Sequence, residues 1–180
     1  MSEKTLIEHP LDPVWNEESE ILILGTMPSP KSRELGFYYM HPQNRFWKII
    51  PATFGEKLLN ENNSPDLKSA INERIDFLYR HKLALWDVLH ACEIDGASDA
   101  SIKKAVPNDF SPIFEKANIQ KVLCTGKTAF SIWEKHCAEK YRHYGFKSFC
   151  LPSTSPANAR WSSEKLISEY GKILRPEFNP

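Results

Sequence analysis

The chain has 180 residues, 41% of them hydrophobic and 12% aromatic, and it balances 23 basic against 23 acidic residues. That is enough apolar material for one compact domain, residues 1–180, and no apolar run approaches the length of a membrane span. Zero net charge neither supports nor excludes a nucleic-acid partner, because binding depends on where the charge sits.

Residues 1–19 are polar, hold Pro10 and Pro13, and are expected to form an irregular leader. Met1 to Lys4 show no basic region followed by an apolar core, so a soluble, cytoplasmic protein is expected. Glu20–Gly25 is a β-branched and leucine run ending at glycine, the pattern of a buried parallel strand. The turn-rich stretch Thr26–Asn44 holds Pro28, Pro30, Gly36 and Pro42, and a loop of this length in a compact domain is usually functional. Arg45–Phe54 is apolar on one side and reads as helix at least as far as Pro51. Ser64-Pro65-Asp66 predicts an N-cap with proline at the first helical position. That helix continues to about His81, with Leu67, Ala70, Ile71, Ile75, Leu78 and Tyr79 on one face. Leu83–Leu89 is a second strand, and Ser111-Pro112 opens a short helix by the same capping logic. Lys121–Gly126 repeats the strand-then-glycine pattern, and Lys127–Glu139 continues as helix. Phe146–Leu151 is a last strand. Ser162 caps a final helix whose buried stripe is Leu166, Ile167, Tyr170, Ile173 and Leu174.

Strands alternating with helices predict an α/β fold, a three-layer α/β/α sandwich around a short, mostly parallel four-stranded sheet. Ligands of such sheets sit at the carboxyl ends of the strands. Three loops meet those ends: Thr26–Asn44, Asp87–Glu93 and Ser153–Arg160. From Lys121 onward ten basic residues face only five acidic ones, an asymmetry that solvated helix faces explain as readily as a polyanionic partner. Cys92, Cys124, Cys137 and Cys150 lack the close spacing of a zinc or iron–sulfur site, so no metal is expected. Cys124 and Cys150 lie in apolar runs and read as buried, reduced thiols.

Two of the loops carry chemistry. Gly25-Thr26-Met27-Pro28 leaves a strand with backbone N–H groups able to face a ligand. The following Tyr38, Tyr39, His41 and Asn44 set aromatics beside amides, a composition suited to stacking on a flat ring while its polar edge is read. Phe46 and Trp47 read as core instead. Leu151 to Arg160 contains no acid. Its small hydroxyls, prolines and arginine suit close approach to phosphates.

On these residues the chain resembles the uracil-DNA glycosylase superfamily, closest to its deoxyinosine (hypoxanthine) glycosylase branch. It is also similar to the mismatch-specific uracil/thymine branch. The resemblance rests on Gly25-x-x-Pro28, on His41-Pro42-Gln43-Asn44-Arg45-Phe46-Trp47-Lys48, on the strand Leu83–Leu89, on Gly126-Lys127 and on Ser153-Thr154-Ser155-Pro156. It spans about residues 20–175. It implies a monofunctional DNA glycosylase of base excision repair that flips out a deaminated base, hypoxanthine above all, and hydrolyses its N-glycosidic bond without cofactor. Asn44 is implied as the catalytic side chain and Tyr39 as the aromatic that stacks on the base. Gly25, Thr26, Met27, His41 and Trp86 or Asp87 would line the base pocket. Ser153, Thr154, Ser155 and Pro156 would hold DNA phosphates. Ala157 stands where the mismatch branch wedges a leucine into the duplex, so Asn158 and Arg160 are expected to help fill the gap. The partner would be damaged or mismatched DNA, met by a monomer.

The chain departs from the uracil-removing pattern at Met27, where a polar residue usually positions water, and at Ser153, where histidine or asparagine is familiar. Those departures favour hypoxanthine over uracil. They leave two alternatives, a G·U/G·T mismatch glycosylase and a non-catalytic DNA-binding module with a degenerate site. A phosphate-binding enzyme built on the lone Gly126-Lys127 lacks a glycine-rich loop.

Overall fold

The computed structural model describes residues 5–62, 64–95 and 101–175. In chain order the elements are β1 (Thr5–Glu8), β2 (Ile21–Gly25), α1 (Pro30–Leu35), α2 (Phe46–Thr53), α3 (Leu67–Arg80), β3 (Leu83–Asp87), β4 (Leu89–Ile94), β5 (Lys103–Pro107), α4 (Ser111–Lys116), β6 (Lys121–Thr125), α5 (Lys127–His136), α6 (Ala138–Tyr141), β7 (Lys147–Leu151) and α7 (Ser163–Leu174).

Four strands make a wholly parallel sheet in the order β3-β2-β6-β7. The apolar runs of its strands follow from burial on both faces. Alternation sorts their side chains: Ile23, Leu83, Leu85, Leu123 and Leu151 pack with α2, α3 and α7. Leu22, Leu24, Ala84, Val122 and Cys124 pack with α4, α5 and α6. The expected three-layer α/β/α sandwich is therefore the observed one.

Several local expectations are corrected. The leader is not irregular throughout. Thr5–Glu8 pairs antiparallel with β4, which pairs with β5, giving a second, three-stranded sheet. Val14 also bridges to Leu85. The small sheet covers only Leu89, Cys92 and Ile94, with Ile7 packed against them, so each strand carries too few apolar residues to announce itself. The loop after β2 contains α1, capped by the Ser29 side chain accepting the Ser32 N–H. Helix α2, by contrast, is as expected: it passes Pro51 and ends two residues later, at Thr53. The cap of α3 is Asp66, whose carboxylate accepts the Ser69 N–H at 3.0 Å, rather than Ser64. Ser111 is the first residue of α4, with Phe110 at the cap. Helix α5 stops at His136 instead of running to Glu139. Cys150 is exposed because β7 is an edge strand.

Arg74 lies within the buried stripe of α3 and is fully enclosed. Its guanidinium donates to the Ala70 carbonyl (2.7 Å), the Asn60 carbonyl (3.1 Å) and Asn62 Oδ1 (2.9 Å), and it lies over the Trp47 ring. Arg74→Met keeps the volume but takes the donor from the Asn60 carbonyl and Asn62 Oδ1, while the Ala70 carbonyl keeps its helical bond from the backbone N–H of position 74. It is expected to lower unfolding free energy by about 2–4 kcal/mol in urea titrations.

Candidate active site

A cavity of about 530 Å³ opens over the carboxyl ends of the parallel strands. Strand β2 contributes Gly25, followed by Thr26 and Met27. The loop after it contributes Tyr39, His41 and Asn44, β3 contributes Asp87 and β6 contributes Thr125. The segment after β7 supplies Ser153 to Asn158. Two loops distant in sequence thus share one slot.

The wall is tightest at Gly25. A Cβ there would stand 2.2 Å from Asp87 Oδ1 and 2.7 Å from the Tyr39 hydroxyl, so only glycine fits. Tyr39 adopts a left-handed backbone, φ +56°, which is strained for an aromatic residue. Its surroundings hold it there. Asn62 Nδ2 donates to the Tyr39 and His41 carbonyls (both 3.0 Å), Trp47 Nε1 to the Tyr38 carbonyl (2.8 Å), and Ser32 Oγ accepts the Met40 N–H (3.1 Å). Phe46 stacks flat on the Tyr39 ring, centroids 3.9 Å apart, so a ligand stacked on Tyr39 meets the opposite face. The Thr125 hydroxyl donates to the Leu24 carbonyl (3.2 Å). Its oxygen therefore accepts from the Tyr39 hydroxyl at 2.9 Å. Tyr38 lies behind, donating to the Asp12 carbonyl at 2.8 Å. Burial and the Asp87 charge push its phenol well above the ordinary tyrosine range.

Asn44 Oδ1 accepts both the Phe46 N–H (2.9 Å) and the Thr154 hydroxyl (3.0 Å). These two donors identify the oxygen, so the amide turns its Nδ2 hydrogens to any ligand. Arg45 locks the two loops together. Its side chain donates to the carbonyls of Thr154 (3.3 Å), Ser155 (3.0 Å), Asn158 (3.1 Å) and Trp161.

Most expected site residues meet here: Gly25, Thr26, Met27, Tyr39, His41, Asn44, Asp87, Ser153, Thr154, Ser155, Pro156, Ala157 and Asn158 line the cavity. Four expectations change in detail. Trp86 is not in the wall. It packs between the sheet and Phe110, because alternation along β3 sends Asp87, not its neighbour, toward the slot. Arg160 lies outside, in an adjoining groove with Lys127, Trp161 and Lys165. Thr154 is buried, its hydroxyl spent on Asn44 rather than turned toward phosphate. Asn158 Nδ2 donates to the Ser153 carbonyl (2.9 Å), which commits it to bracing its own loop. His41 lines the slot and braces its loop as well, with Nδ1 accepting the Gln43 N–H at 3.2 Å.

Sequence reasoning missed the tethering roles of Arg45 and Asn62, and it missed His9, whose Nε2 sits 2.9 Å from Asp87 Oδ2. Arg45 was visible inside the His41–Lys48 string. Nothing local marked Asn62 or His9. Among the described residues no three His, Cys, Asp or Glu side chains cluster to hold a metal, and no helix is long and apolar enough to cross a membrane.

The family model of the uracil DNA glycosylase superfamily matches residues 13–175. A protein of Methanosarcina acetivorans named hypoxanthine DNA glycosylase is 30% identical over 170 residues, covering 94% of this chain and 99% of its own. One of the same name from Methanosarcina barkeri is 35% identical over 149 residues, covering 82% and 86%. The solution NMR structure of a candidate uracil DNA glycosylase from Methanosarcina acetivorans superposes with a TM-score of 0.76 at 29% identity, over 96% of this chain and 98% of that one. A match running from before the first parallel strand to the end of the last helix, on the same fold, makes this chain a member of the uracil DNA glycosylase superfamily.

Proposed function

We propose that the chain is a monofunctional DNA glycosylase that removes hypoxanthine from DNA, acting as a soluble intracellular monomer in base excision repair. The observation that carries this reading is the single cavity shared by Tyr39, Asn44 and the 153–158 loop, in a chain whose relatives are named hypoxanthine DNA glycosylases. The nucleotide swings out of the duplex, most cheaply where it is mispaired. The base enters the slot against Tyr39, a stacking contact of roughly 1–3 kcal/mol, with Gly25, Thr26, Met27, His41 and Asp87 around its edge. The 153–158 loop approaches the DNA backbone through the hydroxyl hydrogens of Ser153 and Ser155, whose oxygens accept the amides of Ser155 and Ala157, while Pro156 and Ala157 form its rim. Arg160, Lys127 and Lys165 extend a basic groove beside it.

The bond broken is that between N9 of the base and C1′ of deoxyribose. Its electron pair leaves with the base, water supplies hydroxide to C1′, and the remaining proton ends on the base. The sugar becomes oxocarbenium-like and the base anionic, so donors aimed at the base lower the barrier. Asn44 supplies such donors from Nδ2. No strong base is required. Since no covalent intermediate forms, borohydride is expected to trap no protein–DNA adduct.

Base release from oligonucleotides carrying hypoxanthine, uracil, xanthine or a G·T pair, with enzyme in excess, tests the reading. Hypoxanthine release is expected to be fastest. No release from any substrate would support the degenerate-site alternative. Asn44→Ala is expected to slow single-turnover release by roughly 100- to 1,000-fold. Asn44→Asp keeps the acceptor for Thr154 and Phe46 but loses the donor, so it should fail too. Full activity in the aspartate variant would reassign the residue to water activation. Arg45→Lys reaches fewer carbonyls and is expected to weaken DNA binding roughly tenfold, with a smaller change in the rate of bound substrate.

A further inference from the structure

We infer that Trp161, ringed by Lys127, Arg160 and Lys165, forms a second nucleotide site that takes an unpaired base next to the one in the slot. It gives the chain a hold on single-stranded DNA that a duplex does not offer. The inference rests on the base-excision reading above and adds the form of DNA that the chain grips.

The groove lined by these four residues has a volume of about 480 Å³, close to the 530 Å³ of the slot. The two adjoin. Thr125 and Ser153 belong to the slot and Lys127 to the groove. Gly126, between them in the chain, packs so near that a Cβ on it would meet the Ser153 Cβ at 3.4 Å. Arg160 stands two positions beyond the slot residue Asn158. A strand whose nucleotide occupies the slot therefore runs onto the groove with the nucleotide beside it.

The charge there is one-sided. No carboxylate lines the groove, and none of its three cations joins an ion pair among the described residues. Lys127 opens α5 and Lys165 lies in the first turn of α7, where a cation opposes the helix dipole. Glu164, beside Lys165 in the chain, hydrogen-bonds with Ser162 and stays out of the groove wall. Uncompensated cations gathered at two helix starts repel one another in the free protein, and phosphate relieves them.

Charge alone would serve any DNA, and Trp161 adds the selectivity. Trp47, Trp86 and Trp133 each pack ring to ring with another aromatic. No ring lies against Trp161 among the described residues. It packs against the core beneath α2 and α7 and also lines the groove. Its backbone is pinned, the N–H donating to the Asn158 carbonyl at 3.3 Å and the carbonyl accepting from Arg45. A fixed indole among cations suits a base laid on the ring with its phosphates on the lysines and the arginine. A base inside a duplex is paired and stacked on both faces and cannot reach the indole, whereas an unpaired one turns onto it.

The test measures, by fluorescence anisotropy, the binding of oligonucleotides carrying a non-cleavable 2′-fluoro-deoxyinosine, as single strands and as duplexes, with melting curves confirming that each variant is folded. Trp161→Leu keeps an apolar group against the core. It is expected to weaken single-strand binding about tenfold and duplex binding by less than about threefold, while Trp161→Tyr keeps the single-strand affinity. An abasic residue placed 5′ or 3′ of the deoxyinosine should cost the native chain about tenfold on one side only, and should cost Trp161→Leu nothing further. Lys127→Ala combined with Lys165→Ala should weaken both forms of DNA and flatten the salt dependence. Equal losses on single strand and duplex in Trp161→Leu, or an abasic penalty that persists in that variant, overturn the inference alone. A native chain that releases no hypoxanthine in single turnover overturns the functional reading and this inference together.

Discussion

Strands β2 and β3 end side by side, Gly25 opposite Asp87, at a distance that leaves no room for a side chain on β2. Everything at the cavity end of the sheet depends on that approach. It lets the Asp87 carboxylate and the Tyr39 hydroxyl converge over one backbone position. The aromatic loop that brings this hydroxyl in folds tightly, with Tyr39 in a left-handed conformation. The strain is contained by a chain of bonds that begins in the core. Arg74 holds Asn62, and Asn62 holds the carbonyls on either side of Met40. An enclosed guanidinium in a helix stripe thus supports a ring two loops away as well as the stability of its own helix.

Arg45 performs the corresponding task across the slot. Four carbonyls of the segment 154–161 converge on one guanidinium, and the neighbouring Asn44 is held by Thr154. The two loops therefore behave as one body. On the proposed reading, with these carbonyls satisfied from inside and the Ser153 and Ser155 hydroxyl oxygens accepting the amides of Ser155 and Ala157, the loop that would meet phosphate is arranged before the DNA arrives. Such preorganisation limits the ordering cost of binding.

The sequence made the parallel sheet and its helices legible because Ile21–Leu24, Lys121–Thr125 and their neighbours are long apolar runs closed by glycine or by capping residues. The slot itself was legible because loops at strand ends must meet. Legibility failed where a residue's meaning depends on distant partners. His9 meets Asp87 only when β1 pairs with β4. Strand β5, with its two lysines and terminal Pro107, carries no apolar alternation. Trp86 and Asp87 could not be ranked without knowing which face each takes, and one step of register exchanges them. Arg160 follows the loop closely in sequence, yet the chain has turned into the approach to α7 before reaching it.

A carboxylate beside a departing anion opposes catalysis. Two like charges about 4 Å apart at an effective dielectric of about 20 repel by on the order of 4 kcal/mol. A base pocket walled by Asp87 must therefore limit its negative charge elsewhere. With Nδ1 accepting the Leu11 N–H, the neutral His9 ring donates from Nε2 and draws charge toward Asp87 Oδ2, and the Asn44 amino group faces the slot without adding any. Met27 fits the same constraint. A carboxylate at that wall position would place a second anion near the leaving base, whereas a thioether packed against Leu89, Cys92 and Ile94 excludes water and carries no charge. On the proposed base-excision reading, the apolar residue that looks like a defect beside uracil-removing enzymes is what a pocket already walled by a carboxylate requires of its other walls.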